Sequence, residues 1–231
     1  MPQNKLLTAL ARSTRREWLA QMEPVTLRLG EVLTEANQPI RHVYFPDVGM
    51  VSLTAHLPEG PTVEIVTIGN DGLVGLPALL GTNTLPFQAL VQVPGHGLRM
   101  TVGTFQGLVA QSQWVSNRLQ RYVQTIFVQA GQSSACNRVH SIRHRCAKWL
   151  LTAQDRVGNG QFSLTQRFLA EMLGVRRAGV NEVCHQLQQE GLIRYSRGRI
   201  TILDRPGLEV ATCDCYRVIR SEYERLFGEA A

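Results

Sequence analysis

The sequence predicts an α+β fold in three parts: a β-rich first half, a long helix, and a helical second half that contains a β-hairpin. Short alternations of apolar and polar residues, separated by turn residues, occupy much of the chain before residue 100. A proline-free stretch at about 104–134 then places apolar residues at helical spacing. Two amphipathic segments joined at a glycine follow. We expect domains at 1–104, 105–136 and 137–231.

The β-rich half begins after a short helix that we expect at residues 4–21. "VTLRLGEVL" alternates Val25, Leu27 and Leu29, and "GMVSLTAHL" and "PTVEIVTIG" flank the turn cluster "LPEGP". Short strands with close turn signals are typical of a β-sandwich or barrel.

The long helix carries an apolar stripe formed by Val115, Leu119, Tyr122 and Ile126, with Phe127 among the residues beside it. Such a stripe belongs either to a core helix or to the seam of a dimer. We favour the seam, because the helix is too long to be covered by one small β-domain. A second helix is expected at 139–156, ended by the glycines at 158 and 160.

The second half contains a helix-turn-helix pattern. Thr165 is a suitable N-cap for a first helix, and Gly174 supplies the left-handed turn that follows it. A second helix is expected at about 177–190, ended by Gly191. The next segment, "LIRYSRGRITIL", is a hairpin with Gly198 at its tip, so the unit is predicted to be a winged helix-turn-helix.

Charge indicates the partner of this unit. Residues 1–115 contain 7 basic and 8 acidic side chains, whereas residues 116–231 contain 17 and 10. Arg176 and Arg177 stand at the positive end of a helix dipole, where cations are unfavourable without an anion nearby. Arg197 and Arg199 flank the hairpin tip. We infer that the anion is double-stranded DNA, with a helical hairpin in an enzyme as the less favoured interpretation.

Over about residues 15–205 the chain resembles the cyclic-AMP-receptor/fumarate-nitrate-regulator (Crp/Fnr) family of bacterial transcription regulators. The matching segments are "LRLGEVLTEANQPIRHVYFPDVGMVSL", "VEIVTIGNDGLVGLPALLG" and "LTQRFLAEMLGVRRAGVNEVCHQLQQEGLI". The resemblance implies a cyclic-nucleotide-binding-like β-roll, a long dimerisation helix and a C-terminal winged helix-turn-helix. It also implies a homodimer on a near-palindromic site, with RNA polymerase as a further partner.

The resemblance assigns the residues that contact DNA. The family's base-reading positions fall on Arg177, Ala178, Asn181 and Glu182; Ala178 replaces a glutamate and Glu182 an arginine, so the target sequence should differ from the family's best-known sites. Further contacts are expected from five residues at the helix starts and in the wing: Thr165, Gln166, Arg176, Arg197 and Arg199.

The effector site departs from the pattern of the nucleotide-binding members. Leu73 stands where those members have a glutamate, and Phe87-Gln88 where they have an arginine pair, with no arginine between Arg41 and Arg99. A phosphate buried without a cation is costly. We therefore expect no ordinary cyclic AMP binding, no cofactor and an effector that the sequence does not identify. The N-terminal cysteines of the iron–sulfur members are absent too.

Other residue patterns suggest rival functions. His140 and His144 have the i, i+4 spacing of metal ligands, but no nearby acid or cysteine completes a site. Cys213-x-Cys215 supplies two thiols, too few for a structural zinc site. The alternative reading is a β-barrel small-molecule-binding module or a cupin-type metal enzyme with a helical appendage, suggested by the histidines at 42, 56 and 96. Clustered His-x-His is absent, so we predict no metal site and no enzyme.

Composition agrees with this assignment. Hydrophobic residues make up 44% of the 231 residues and charged residues 18%, which is enough apolar surface for a core. No apolar run approaches the roughly 18 residues of a membrane span. The N-terminus lacks the pattern of a signal peptide. The five cysteines, all in the second half, do not suggest a disulfide framework. We expect a cytoplasmic protein without a membrane partner.

Overall fold

The first half of the chain is an antiparallel sheet with short helices at its ends. The computed structural model describes residues 3–10, 12–57, 62–158 and 160–228, so most of the predicted turn at 57–61 lies outside the described residues. The elements of this half are α1 (Lys5–Thr8), α2 (Arg12–Ala20), β1 (Glu23–Leu27), β2 (Val32–Thr34), β3 (His42–His56), β4 (Thr62–Ile68), α3 (Leu76–Leu79) and β5 (Gln88–Thr101).

Strand β3 is central in this sheet, pairing with β4 on one side and β5 on the other, while β1 and β2 pair with β5. The register between β3 and β5 shifts between Pro46 and Val51, where the strands bend. Gly49 is required at this bend, because its φ is +104° and a Cβ there would lie 2.8 Å from the Val93 carbonyl oxygen. The predicted α+β class with a β-rich first half is confirmed.

The long helical stretch consists of two helices. α4 (Val102–Ala110) ends before Ser112, whose hydroxyl accepts from the backbone N–H of Val115 and starts α5 (Gln113–Val139). The predicted helix at about 104–134 was therefore wrong at both ends. The Ser112 side chain caps the start of a new helix, so the break between α4 and α5 needs no proline.

The apolar stripe of α5 faces the chain's own core. Val115, Leu119 and Tyr122 are at most 3% exposed and pack in one cluster with Trp18 and Phe105. The interpretation of this stripe as a seam between two chains is therefore wrong for these three residues. The opposite face of α5 carries Phe127, which is 77% exposed.

The second half is mainly helical. It consists of α6 (Ile142–Val157), β6 (Gln161–Ser163), α7 (Gln166–Leu173), α8 (Arg177–Gln189), β7 (Ile193–Ser196), β8 (Arg199–Ile202), α9 (Arg205–Ala211) and α10 (Asp214–Phe227). α6 begins later than predicted because Ser141 caps it, accepting from the His144 N–H. Helices α9 and α10 were not predicted. No helix in the described ranges combines the length and apolarity needed to cross a membrane.

The two halves share one core. Met50 and Val93 of the sheet are buried in the same cluster as Trp149 of α6 and Met172 of α7. The Trp149 indole N–H donates to the Glu64 carboxylate at 3.2 Å. Helix α7 therefore packs directly against the sheet, and α10 folds back along α5.

Candidate nucleic-acid interface

The helix-turn-helix is built by local signals that the sequence contains. Thr165 Oγ1 accepts from the Phe168 N–H at 3.2 Å and caps α7. Gly174 has φ +60° and ends α7, with its N–H bonded to the carbonyls of the last turn. Gly191, with φ +73°, follows the end of α8. The predicted helices are thus confirmed to within a residue or two.

Helix α8 has one buried face and one exposed face. Val180, Val183, Cys184 and Leu187 are buried against the domain core, each at most 7% exposed. The side chains of the opposite face are exposed; they are Arg177, Ala178, Asn181 and Glu182. Packing of the inner face therefore leaves all four predicted base-reading residues at the surface.

The wing is a tight hairpin. Strands β7 and β8 pair with Ser196 opposite Arg199, leaving a two-residue turn of Arg197 and Gly198. Both turn residues have positive φ, +49° and +73°, as in the type I′ turn that matches strand twist. The Leu164 N–H donates to the Gly198 carbonyl at 2.8 Å, which holds the wing tip beside the start of α7.

Four exposed arginines lie at this surface. Arg176, Arg177, Arg197 and Arg199 are exposed, and in the described part of the chain none of them forms an ion pair. Several other arginines of this half are paired, for example Arg205 with Asp155 at 2.8 Å. Arg176 is also the N-cap of α8 and gives it no side-chain capping bond. The start of α8 and the wing therefore form a positive surface suited to phosphate.

Several predicted residues contact one another across this surface. Gln166 Nε2 donates to Asn181 Oδ1 at 2.9 Å and links the starts of α7 and α8. Thr165 packs beside Gly198 of the wing. Two positioning residues were not predicted: Tyr195, whose hydroxyl accepts from the Gln166 N–H, and Gln188, whose Oε1 accepts from the Tyr195 N–H. Tyr195 was visible only as a strand residue, and Gln188 gave no sequence signal.

The corner of the sheet is closely packed around Leu73 and Phe87, where an effector ligand was considered. Leu73 is fully buried, and its carbonyl accepts from the Tyr122 hydroxyl at 3.0 Å. The cavity beside Phe87 has a volume of about 10 Å³, and its lining consists mainly of apolar residues, with Glu35 among the others.

The chain matches two family models. Residues 24–112 match the cyclic nucleotide-binding domain, and residues 144–211 match the Crp-like helix-turn-helix domain. The first match covers the sheet and α4, and the second covers α6 to α9. No sequence of a curated protein matches the chain.

Solved structures share this fold at low sequence identity. FixK2 from Bradyrhizobium japonicum superposes with a TM-score of 0.71 and 16% identity, over 83% of this chain and 98% of its own. A Crp/Fnr-family protein from Eubacterium rectale superposes with a TM-score of 0.66 and 19% identity. This match covers 89% of this chain and 96% of the other. A Crp-family transcriptional regulator from Thermus thermophilus superposes with a TM-score of 0.66 and 18% identity. This match covers 89% of this chain and 97% of the other.

Proposed function

Because the chain belongs to the Crp/Fnr family of transcription regulators, we propose that it acts as a homodimer on a near-palindromic DNA site. One observation carries the proposal above all: the exposed arginines of α8 and the wing have no carboxylate partner in the described chain. DNA phosphates and guanine edges supply what these guanidinium groups lack.

Each residue of the interface has a distinct part in this proposal. Arg177 donates two hydrogen bonds to the O6 and N7 of a guanine, and Glu182, an acceptor only, favours cytosine. Arg176, Arg197 and Arg199 contact phosphates and fix the register of the protein on the duplex. Thr165 and Gln166, at the start of α7, contact the backbone, while Asn181 and Ala178 complete the base-reading face.

The dimer forms through the exposed face of α5. Phe127 projects from it, and a Cβ placed on Gly131 would meet no atom within 4 Å. Ser134 and Ala135 extend this face with small exposed side chains. A large apolar side chain beside small ones allows the α5 helices of two chains to pack closely against each other. The two α8 helices then enter successive major grooves, about 34 Å apart.

The first domain works without an ordinary cyclic nucleotide. Among the described residues, no cationic side chain lines its corner cavity of about 10 Å³. A phosphate would find no balancing charge there, so the signal reaches the protein in another way. We place the protein in the cytoplasm, with RNA polymerase as a partner and without catalytic activity.

Selection of bound duplexes from random DNA tests this proposal. We expect the full chain to enrich a near-palindrome, with affinity that falls steeply between about 50 and 200 mM salt. A variant with Arg176, Arg177, Arg197 and Arg199 all replaced by alanine should enrich nothing. Enrichment of the same sequence by that variant would place the DNA-binding surface elsewhere.

A further inference from the structure

A cluster of three cysteines and one histidine lies where α10 meets the end of α5. Cys136 and His140 come from the last turn of α5 and the residue after it, and Cys213 and Cys215 from the start of α10. The three cysteines are at most 8% exposed and form a buried cluster of their own. In sequence, Cys213-x-Cys215 offered too few ligands, but the fold adds two from a segment more than 70 residues earlier.

The ligand atoms have the spacing of a single tetrahedral ion. Cys136 Sγ and Cys213 Sγ are 3.6 Å apart, Cys215 Sγ and His140 Nδ1 are 3.5 Å apart, and all four atoms lie within 4.8 Å of one another. With zinc–sulfur bonds of about 2.3 Å, the edge of a tetrahedron is about 3.8 Å. We propose that these four residues bind one Zn²⁺ ion as a Cys3His site.

The surroundings carry positive charge that suits an anionic metal centre. Three thiolates and a neutral histidine around Zn²⁺ carry a net charge of −1, and both Lys148 and Arg145 are near enough to interact electrostatically with the Cys136 sulfur. Arg145 is only 8% exposed, and its Nε has no hydrogen-bond partner in the described structure. A buried guanidinium without an anion is costly, and an anionic metal centre nearby offsets that cost.

Loading of the site exchanges protons for the ion, because zinc binds Cys as the thiolate. Metal binding displaces the three thiol protons to solvent and replaces them with one divalent ion. The Gln132 side-chain N–H donates to Cys215 Sγ at 3.2 Å, an outer contact of the kind that orients a metal ligand.

The size of the cluster argues against an iron–sulfur centre. A four-iron cluster keeps its cysteine sulfurs apart on separate iron atoms, whereas these atoms are close enough to share one ion. The zinc would fasten α10 to the end of α5, immediately before α6 and the DNA-binding half. Its role is therefore structural, because protein ligands fill all four coordination positions of the ion.

Metal content and zinc X-ray absorption of the full chain test the proposal. We expect about one Zn²⁺ per chain, with three sulfur ligands at about 2.3 Å and one nitrogen at about 2.0–2.1 Å. Co²⁺ substituted for Zn²⁺ should give the intense visible bands of tetrahedral thiolate coordination. Cys213→Ser and His140→Ala should each weaken Zn²⁺ binding at least 10-fold in competition with a chelator.

Matched controls keep the outcome specific. Cys184→Ala removes a buried cysteine from the helix-turn-helix core, and His144→Ala a histidine four residues from His140; both should retain the full zinc content. The absorption measurement on the unaltered chain decides the question even where a variant fails to fold. A folded chain that takes up no Zn²⁺ at micromolar concentration, a zinc shell without sulfur, or a Cys136–Cys213 disulfide would each overturn the proposal.

Discussion

Replacing Arg177 by alanine should change which DNA sequence the protein prefers without changing the stability of the fold. The side chain is exposed and has no ion pair in the described chain, so we expect the free energy of unfolding to stay within about 0.5 kcal/mol. The whole effect then falls on DNA binding. Loss of a two-bond contact to guanine costs about 1–3 kcal/mol. With about 1.4 kcal/mol per factor of ten, that is roughly 5- to 150-fold in affinity.

Replacing Arg199 by alanine should give the opposite pattern. Arg199 stands beside the turn of the wing and is proposed to contact a phosphate, which carries no sequence information. Its loss should weaken all DNA sequences about equally. The slope of log affinity against log salt should become less steep by about one for each half-site.

Fluorescence anisotropy separates the two effects. The labelled duplexes are the selected site, the same site with the guanine replaced, and a random sequence, each titrated at several salt concentrations. Arg217→Ala is the control, since Arg217 is exposed on α10 and paired with Asp214; it should leave affinity and slope unchanged. If Arg177→Ala weakens specific and random DNA alike, with base preference unchanged, Arg177 only holds a phosphate and α8 does not enter the groove as proposed.

Three further predictions concern the rest of the molecule. Phe127→Glu should convert a homodimer into a monomer, seen by sedimentation, without unfolding the chain; an unchanged mass would place the dimer interface elsewhere. Leu119→Ala, in the buried stripe, should instead lower the free energy of unfolding by about 2–5 kcal/mol. Calorimetry with micromolar cyclic AMP should give no binding heat, and tight stoichiometric binding would contradict the proposal. Burial raises the pKa of Glu64, so folding stability falls as pH rises from the unfolded to the folded pKa. Glu64→Gln should therefore melt higher than the parent at neutral pH, with the difference vanishing below the unfolded pKa.

The helix-turn-helix could be predicted because its limits are set by neighbouring residues. Thr165 caps its own helix, Gly174 turns the chain, and Arg197-Gly198 forms a two-residue hairpin turn. Each of these features depends on a window of a few residues. The alternation of apolar residues in the first half likewise predicted strands, although the 15-residue length of β3 exceeded the predicted segment.

Contacts between distant segments could not be predicted in this way. The stripe of α5 is equally compatible with a partner chain and with the chain's own core, and only the position of Trp18 and Phe105 decides between them. The apolar side chains of α10 at Tyr216, Ile219 and Tyr223 have helical spacing that could have predicted the helix. Nothing in that spacing indicates that α10 returns to α5.

The shared core of the sheet and the helix-turn-helix limits how far the DNA-binding half can rotate. Any rotation that separates Met50 and Val93 from Met172 exposes two side chains that are now at most 2% accessible. Their exposure costs about 1.5–3 kcal/mol each. A second arrangement would then hold less than about one molecule in a hundred unless a ligand bound it more tightly than the first. The orientation of α8 is therefore set by how α7 packs on the sheet, and a signal must act on that packing to change it.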